Sequence, residues 1–422
     1  MSQYVYTHQE VSKEEKLFSI LVVFMALFHV YKPTSISISC GEILMFSCIL
    51  FYFKRNMKFP FDKQELGFVL FFCYMAISSM IMGIVFDAPM SKYFSIARAG
   101  FYWVLIFYFG KNLFSRVIFE KWMIVFSVVL SCFILIQYVV YILTGYFIPG
   151  LIAGLSINNG GESGAALYEH SLYLASFRGF VRPHGFLAEP AHASQFLFIS
   201  ITTIICNKSV LFKKKILYAI LFSAAILATQ STTGIVLLSL AWLLFASSEK
   251  RLSFFRFPFV LVFVAIGLFF VFGGEGSNFS SVERVVNIAN GSEIDRSSNV
   301  RLNNGMNLFF DLPLVFKLFG TGAGLSEYVF NSFGFIDVSS YMNALAGIFY
   351  STGLIGGGLW IVSLVLMFLM SGLLGKSLVV GFFIMTLGCS IYCQPQMVWF
   401  FLLILADIKE KNEKYLGYSA VQ

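Results

Sequence analysis

The 422-residue chain is 58% hydrophobic and only 12% charged, with 51 Phe and 20 Tyr, and its mean hydropathy is +0.81. A soluble domain needs about 25% charged residues to solvate its surface, so a soluble enzyme, a secreted disulfide scaffold and a disordered chain are excluded. In such a chain the net charge of +7 concerns orientation in a bilayer, and no nucleic-acid partner is expected.

The first 16 residues are polar, and the apolar run that follows has no small-residue cleavage site. That run, 17–31, is therefore expected to remain as the first span. Further apolar runs follow at 34–53, 66–86, 91–110, 121–144, 188–206, 214–230, 232–248, 257–273, 345–371, 377–393 and 396–408. They are too continuous for the alternating pattern of a barrel, and lipid forbids unpaired backbone, so the spans are helical. The expected fold is an all-α polytopic membrane protein of about 12 transmembrane helices, one integral domain over 1–422. Tight polar turns join the runs at 230–234 and 394–396. Two long segments, 145–187 and 274–344, are left between runs, and loops of this length commonly carry function.

Charge orients the chain. With the N-terminus in the cytoplasm, twenty of the 29 basic residues fall inside: Lys13 and Lys16, then the groups Lys54–Lys63, Lys111–Lys121, Lys208–Lys215, Lys250–Arg256, Lys376 and Lys409–Lys414. The positive-inside rule is then obeyed loop after loop, with both termini cytoplasmic and both long loops outside. All seven Cys lie in apolar runs, so no disulfide framework is expected, and no Cys/His cluster has metal-ligand spacing.

Chemistry-bearing residues gather on the outer side. Just before the run at 188–206, Arg178, Arg182, His184, Glu189 and His192 fall within 15 residues. Pro190 suits a first helical turn with Glu189 at the cap, which puts Glu189 and His192 on one face. Arginine forks bind phosphate, and a carboxylate or imidazole can take a hydroxyl proton. A charged interfacial cap is the alternative reading. In the second long loop, Arg284, Arg296 and Arg301 precede Gly320-Thr-Gly322-Ala-Gly324, which is either a close backbone approach to a ligand or a flexible turn. Within the spans, Arg98 and Glu42 lie at equal depth, as a functional charge or as a structural pair. His29 reads as an interfacial residue. Asn343 stands at the mouth of the second loop, before a Gly-rich span.

Taken in order, these features resemble the O-antigen polymerase and ligase superfamily, the Wzy-type polysaccharide polymerases. Arg182-Pro-His-Gly-Phe-Leu-Ala-Glu189-Pro resembles the family's Arg, Gly-Phe and Glu-Pro at the end of the first large loop. Arg301, Pro313 and Phe-Gly320-x-Gly322-x-Gly resemble the arginine and Gly-rich turn of its second loop. Asn343 and Gly353-Leu-Ile-Gly resemble the return into the next span. Ligases of the superfamily usually carry a His before the Asn, where this chain has Met342, which favours a polymerase.

The resemblance implies a GT-C-like membrane glycosyltransferase of the bacterial inner membrane with a periplasmic active site. Donor and acceptor are both undecaprenyl-diphosphate-linked oligosaccharides, no cofactor or metal is needed, and a chain-length regulator is a possible partner. A hydroxyl of the acceptor sugar attacks the donor's anomeric carbon and displaces a lipid diphosphate. Arg98, Arg178, Arg182 and Arg296 are expected at the diphosphate, with Arg301 beside the reacting atoms and Gly322 and Asn343 supporting. Glu189 is the first choice as base, with His184 or His192 second. The alternatives are an O-antigen ligase, which transfers finished chains to lipid A-core, and a flippase for the lipid-linked unit.

Overall fold

The computed structural model of the protein describes residues 11–33, 38–52, 65–151, 181–248, 309–326, 328–329, 343–389, 391 and 394–419. The run at 257–273, most of both long loops, and Arg178, Arg284, Arg296 and Arg301 lie outside the described residues. The described part is helical and has no strand.

Every other apolar run coincides with a helix. These are α1 (Lys13–Phe28), α2 (Cys40–Tyr52), α3 (Leu66–Val85) and α4 (Phe94–Val104), the last continuing through a π turn, Leu105–Phe109, into α5 (Gly110–Leu113). Then come α6 (Arg116–Thr144), α7 (Pro190–Cys206), α8 (Phe212–Ala228) and α9 (Thr232–Ser248). A short helix in the second long loop, α10 (Leu314–Phe319), precedes α11 (Ala344–Met370), α12 (Leu373–Gly388) and α13 (Pro395–Ser419). By length and composition, α3, α6 and α11 can each cross a membrane, and α2, α7, α9 and α12 are shorter apolar helices.

The helix starts are written in local chemistry. Ser12 and Glu15 form a capping box on α1, the Glu15 amide donating to Ser12 Oγ at 3.2 Å and the Ser12 amide to Glu15 Oε2 at 2.8 Å. Ser39 and Glu42 repeat that box on α2. Pro190 occupies the first turn of α7, where its missing N–H is no loss. Asn343 caps α11 by accepting the Ala346 amide at 2.7 Å.

Side-chain bonds sort the helix ends into two groups. At one end, Ser19 near the start of α1 accepts the Ser115 amide, and Asn207 beyond α7 donates to Glu120 at the start of α6. Arg116 of α6 pairs there with Glu120 and with Asp407 and Glu410 of α13. Asp407 in turn accepts the Gly375 amide of α12. At the other end, the start of α2 meets the start of α4, the start of α7 bonds the end of α8 through Ser194 and Thr229, and the Ala344 amide of α11 donates to Cys389 after α12. The helices thus alternate in direction, as consecutive spans do. Lys111, Arg116, Lys215, Lys376 and Lys411, all placed on one side by charge, belong to the first end.

Burial follows helix role. A helix apolar on every face must sit inside the bundle, and α7 is such a helix, with Ala193 to Ile205 buried throughout. So is the first half of α13, where Met397 to Ile404 are at most 1% exposed. Trp399 fixes α13 to α1 by donating to the Val22 carbonyl at 2.7 Å, and its ring meets Phe196 of α7 edge-on. By contrast, only 33%, 33% and 39% of the apolar windows of α3, α6 and α11 are buried, so these helices turn wide apolar faces outward.

The glycine-rich turn is built into the bundle. α11 breaks at Gly353, where φ is 65° and ψ is −169°, which takes the Tyr350 and Ser351 carbonyls out of the regular helical ladder. The turn supplies their partners: Thr321 N–H donates to Tyr350 at 2.7 Å and Gly322 N–H to Ser351 at 2.9 Å. The Ala323 amide donates to Ser79 Oγ of α3 at 2.7 Å. A Cβ at Gly320 would meet the Ser351 carbonyl, and φ there is +84°. Gly320→Ala is therefore expected to lower stability by about 1–3 kcal/mol, read as a lower apparent Tm of the purified protein in detergent. Gly347 in α11 has open space around it, and Gly347→Ala should hold or slightly raise the same Tm.

Candidate functional site

The clearest polar constellation is organised by one carboxylate. Glu42 is placed at the third residue of α2 by its capping box, with Oε2 accepting the Ser39 amide at 2.8 Å. Its other oxygen, Oε1, accepts Tyr102 Oη at 2.8 Å and faces Arg98 Nε at 2.8 Å. Arg98 and Tyr102 are one turn apart on α4, so both reach the same acceptor. Glu42 is almost fully enclosed, at 6% exposure, whereas Arg98 keeps 34% of its side chain open. The structural pairing of Arg98 with Glu42 is thus present, and it leaves 34% of the Arg98 side chain accessible.

The network extends across five more segments. Ser39 Oγ lies 2.7 Å from His29 Nδ1 at the end of α1. The Gln394 side chain, just before α13, reaches the same ring, and His29 lies within electrostatic range of Glu42, Arg98 and His192. His192 is half-buried in the first turn of α7. One turn on, Gln195 donates to Cys389 Sγ at 3.4 Å, and the Cys389 carbonyl accepts the amide next to Asn343. A polar track therefore runs from Arg98 through Glu42 and His29 toward His192 and the start of α11, all at one end of the bundle.

The approach to α7 divides its residues between scaffold and surface. His184 is buried, and its Nδ1 lies 2.6 Å from the Leu187 carbonyl while its ring packs near Phe147. The Gly185 amide donates to Gln137 of α6 at 2.9 Å. These bonds close a tight turn over the end of α6. Burial holds the His184 imidazole below its ordinary value of 6.5, against the opposing pull of the Leu187 bond and of Glu189, so it is neutral at pH 7. Glu189 occupies the cap position of α7 and is exposed, and its side chain makes no capping bond. Arg182 is half-buried at the start of this turn.

Gly322 and Asn343 have defined local roles. The Gly322 amide is spent on Ser351, inside a packed turn rather than a flexible one. Asn343, 4% exposed, is the cap of α11. The structure brings Arg98, His192, Glu189, His184, Arg182 and Asn343 to one end. Arg178, Arg296 and Arg301 lie outside the described residues. His29, Ser39, Tyr102 and Gln394 enter the constellation without having been singled out for it. The signal for Ser39 was in the sequence, since Ser-x-x-Glu before an apolar run is a capping box. His29 and Gln394 carry no comparable pattern.

Chemically, a guanidinium gripped through Nε by an enclosed carboxylate is a pre-oriented anion binder. An exposed carboxylate and a half-buried imidazole one turn apart offer proton acceptors nearby. Among the described residues, no group of three His, Cys, Asp or Glu could hold a metal ion. No protein-family model and no curated protein matches the chain.

Two outcomes follow from this geometry. Glu42→Ala leaves Arg98 without its partner and should lower the apparent Tm in detergent, while adding Arg98→Met should restore part of the loss, because removing both charges avoids the uncompensated one. The His184 prediction concerns pH. With a folded value below the unfolded 6.5, the unfolded chain binds the proton first, so stability is full above about pH 6.5 and falls as pH drops below it. His184→Gln should flatten that acid limb in a thermal-stability series between pH 7.5 and about pH 5.

Proposed function

We propose that the chain is an integral membrane glycosyltransferase acting on lipid-linked glycans. Within that class we read it as an O-antigen-type polysaccharide polymerase. It would transfer a growing glycan from undecaprenyl diphosphate to the non-reducing end of a lipid-linked repeat unit. In this reading the chain has twelve spans with both termini cytoplasmic, lies in the bacterial inner membrane, and presents the Arg98 end of the bundle to the periplasm. The alternation of helix directions and the basic residues gathered at the opposite end support that orientation.

The observation that carries the reading is the partly exposed Arg98 side chain held by enclosed Glu42, at the same end as Glu189 and His192. In the proposed reaction an acceptor hydroxyl oxygen forms a bond to the donor's anomeric carbon. The bond from that carbon to the diphosphate oxygen breaks, and the hydroxyl proton passes to a base. Negative charge grows on the diphosphate, and Arg98 and Arg182, with Arg178, Arg296 and Arg301 from the long loops, would stabilise it. Glu189 is the favoured base, and His192 the second choice. The buried, hydrogen-bonded His184 suits a role in holding the turn. The polymer emerges on its lipid, and undecaprenyl diphosphate leaves.

The test is the surface-polysaccharide ladder of a deletion strain complemented at wild-type protein level. Arg98→Ala and Glu189→Gln should each reduce turnover by about 10²-fold or more, removing long chains while a single repeat unit remains attached. Arg98→Lys should recover little, because a lysine lacks the fork. A wild-type ladder in both of the first two variants would sink the assignment. Loss of every attached repeat would point to the ligase reaction instead.

A further inference from the structure

One outward-facing apolar surface lies apart from the site described above. It follows the rows of α3 where Ile77, Ile81 and Ile84 are 59%, 53% and 79% exposed. It then continues onto the loop segment around α10, where Phe310, Leu314 and Val315 are 64%, 69% and 57% exposed. On its inner side the same segment is tightly packed. Phe309, Leu312 and Phe316 are buried against Tyr350, Met82 and Phe86.

Depth along the neighbouring helices decides what this surface meets. α3 has 20 residues, about 30 Å, which matches the hydrocarbon thickness of a bilayer. The tip of the segment bonds well inside that length. Ala323 is held by Ser79 and the Phe319 carbonyl by Tyr74 Oη, and these lie about 9 and 16 Å from the Val85 end at 1.5 Å per residue. On α11, the Leu318 carbonyl and the Gly320 amide press against Gly353, about 13 Å from Ala344 by the same measure.

We propose that residues 309–326, with 328–329, form a re-entrant membrane segment. It descends beside α3, turns at Gly320–Gly324 and returns to the side from which it came, with Phe310, Leu314 and Val315 among the acyl chains of the bilayer. Irregular backbone at membrane depth is tolerated only where its polar groups are satisfied by protein. Five amides of the turn meet that condition. The amides of Gly320, Thr321, Gly322, Ala323 and Leu325 donate to Phe316, Tyr350, Ser351, Ser79 and Gly322 respectively. Of the three charges in this stretch of sequence, Asp311 is exposed but stands before Pro313, at the entry of the dip, Lys317 is half-buried, and Glu327 lies outside the described residues. The occupant is lipid because the surface is continuous with the outward rows of a helix long and apolar enough to span. The turn also touches the first turn of α4, where a Cβ at Gly324 would meet Ser95 and the Lys92 carbonyl. Arg98 lies one helical turn beyond Ser95, so the segment forms a wall between lipid and the Arg98 corner.

The test uses the full chain reconstituted in phosphatidylethanolamine and phosphatidylglycerol vesicles. Spin labels at Leu314→Cys and Val315→Cys, in a background with native cysteines replaced by serine, are read against Ile77→Cys as a lipid reference and Lys208→Cys as a water reference. The expected result is strong relaxation by oxygen and loss of relaxation by the water-soluble nickel chelate, as at Ile77. Nickel relaxation equal to that at Lys208 would overturn the proposal. Protection from both reagents would also overturn it, showing that protein rather than lipid covers the face. The unmodified chain gives a measurement independent of folding in the variants. A phospholipid bearing a diazirine on its acyl chain should label peptides from 309–319, and labelling of α3 without labelling of this segment would reject the assignment.

Discussion

The Glu42 carboxylate is the interaction on which the described end of the bundle depends. It closes the capping box of α2, accepts the Tyr102 hydroxyl and holds Arg98. A buried carboxylate is stabilised only when its lone pairs are met by donors and its charge by a cation. Glu42 has all of these from α4 and the loop before α2, so the arrangement of α2 and α4 at this end is fixed by the needs of one group. Arg98 takes part of its orientation from that arrangement, through its bond to Glu42.

Packing supports the same end from beneath. α7 and the first half of α13 are buried on every face, and each begins at the polar end, one carrying His192 and the other preceded by Gln394. Helices with no outward face have little room to tilt or rotate, because interiors are packed at crystal-like density. The polar side chains at their starts are therefore held at defined positions by apolar residues deeper in the bundle. The opposite end is secured differently, by Arg116 shared among Glu120, Asp407 and Glu410. One end thus spends its charges on joining helices, while the other leaves a guanidinium partly open.

Much of this was legible in the sequence. Long apolar runs mark helices because lipid and core alike demand internally bonded backbone, so α3, α6 and α11 appear close to their expected limits. Pro190 and Glu189 marked the start of α7 for the same local reason. The depth argument that paired Arg98 with Glu42 succeeded because rise per residue is constant along a helix. What sequence could not give was convergence. His29, Gln394 and Cys389 are brought near His192 and Asn343 by the packing of helices far apart in the chain, and no spacing encodes that. The packing of the glycine-rich turn was hidden for a related reason: its rigidity comes from carbonyls on α11 that are released only because Gly353 breaks the helix.

That break also changes what kind of loop the second long segment, 274–344, is. Loop-closure entropy depends on the length of chain between fixed points. With Thr321 and Gly322 bonded to α11 and Ala323 to α3, the long connection is pinned partway along. It behaves as two shorter tethers meeting at a common anchor, one arriving from the apolar run at 257–273 and one leaving toward Asn343. Substitutions or insertions in one tether then have no direct lever on the other, so each can diversify to suit a different part of a substrate without disturbing the helices that both depend on.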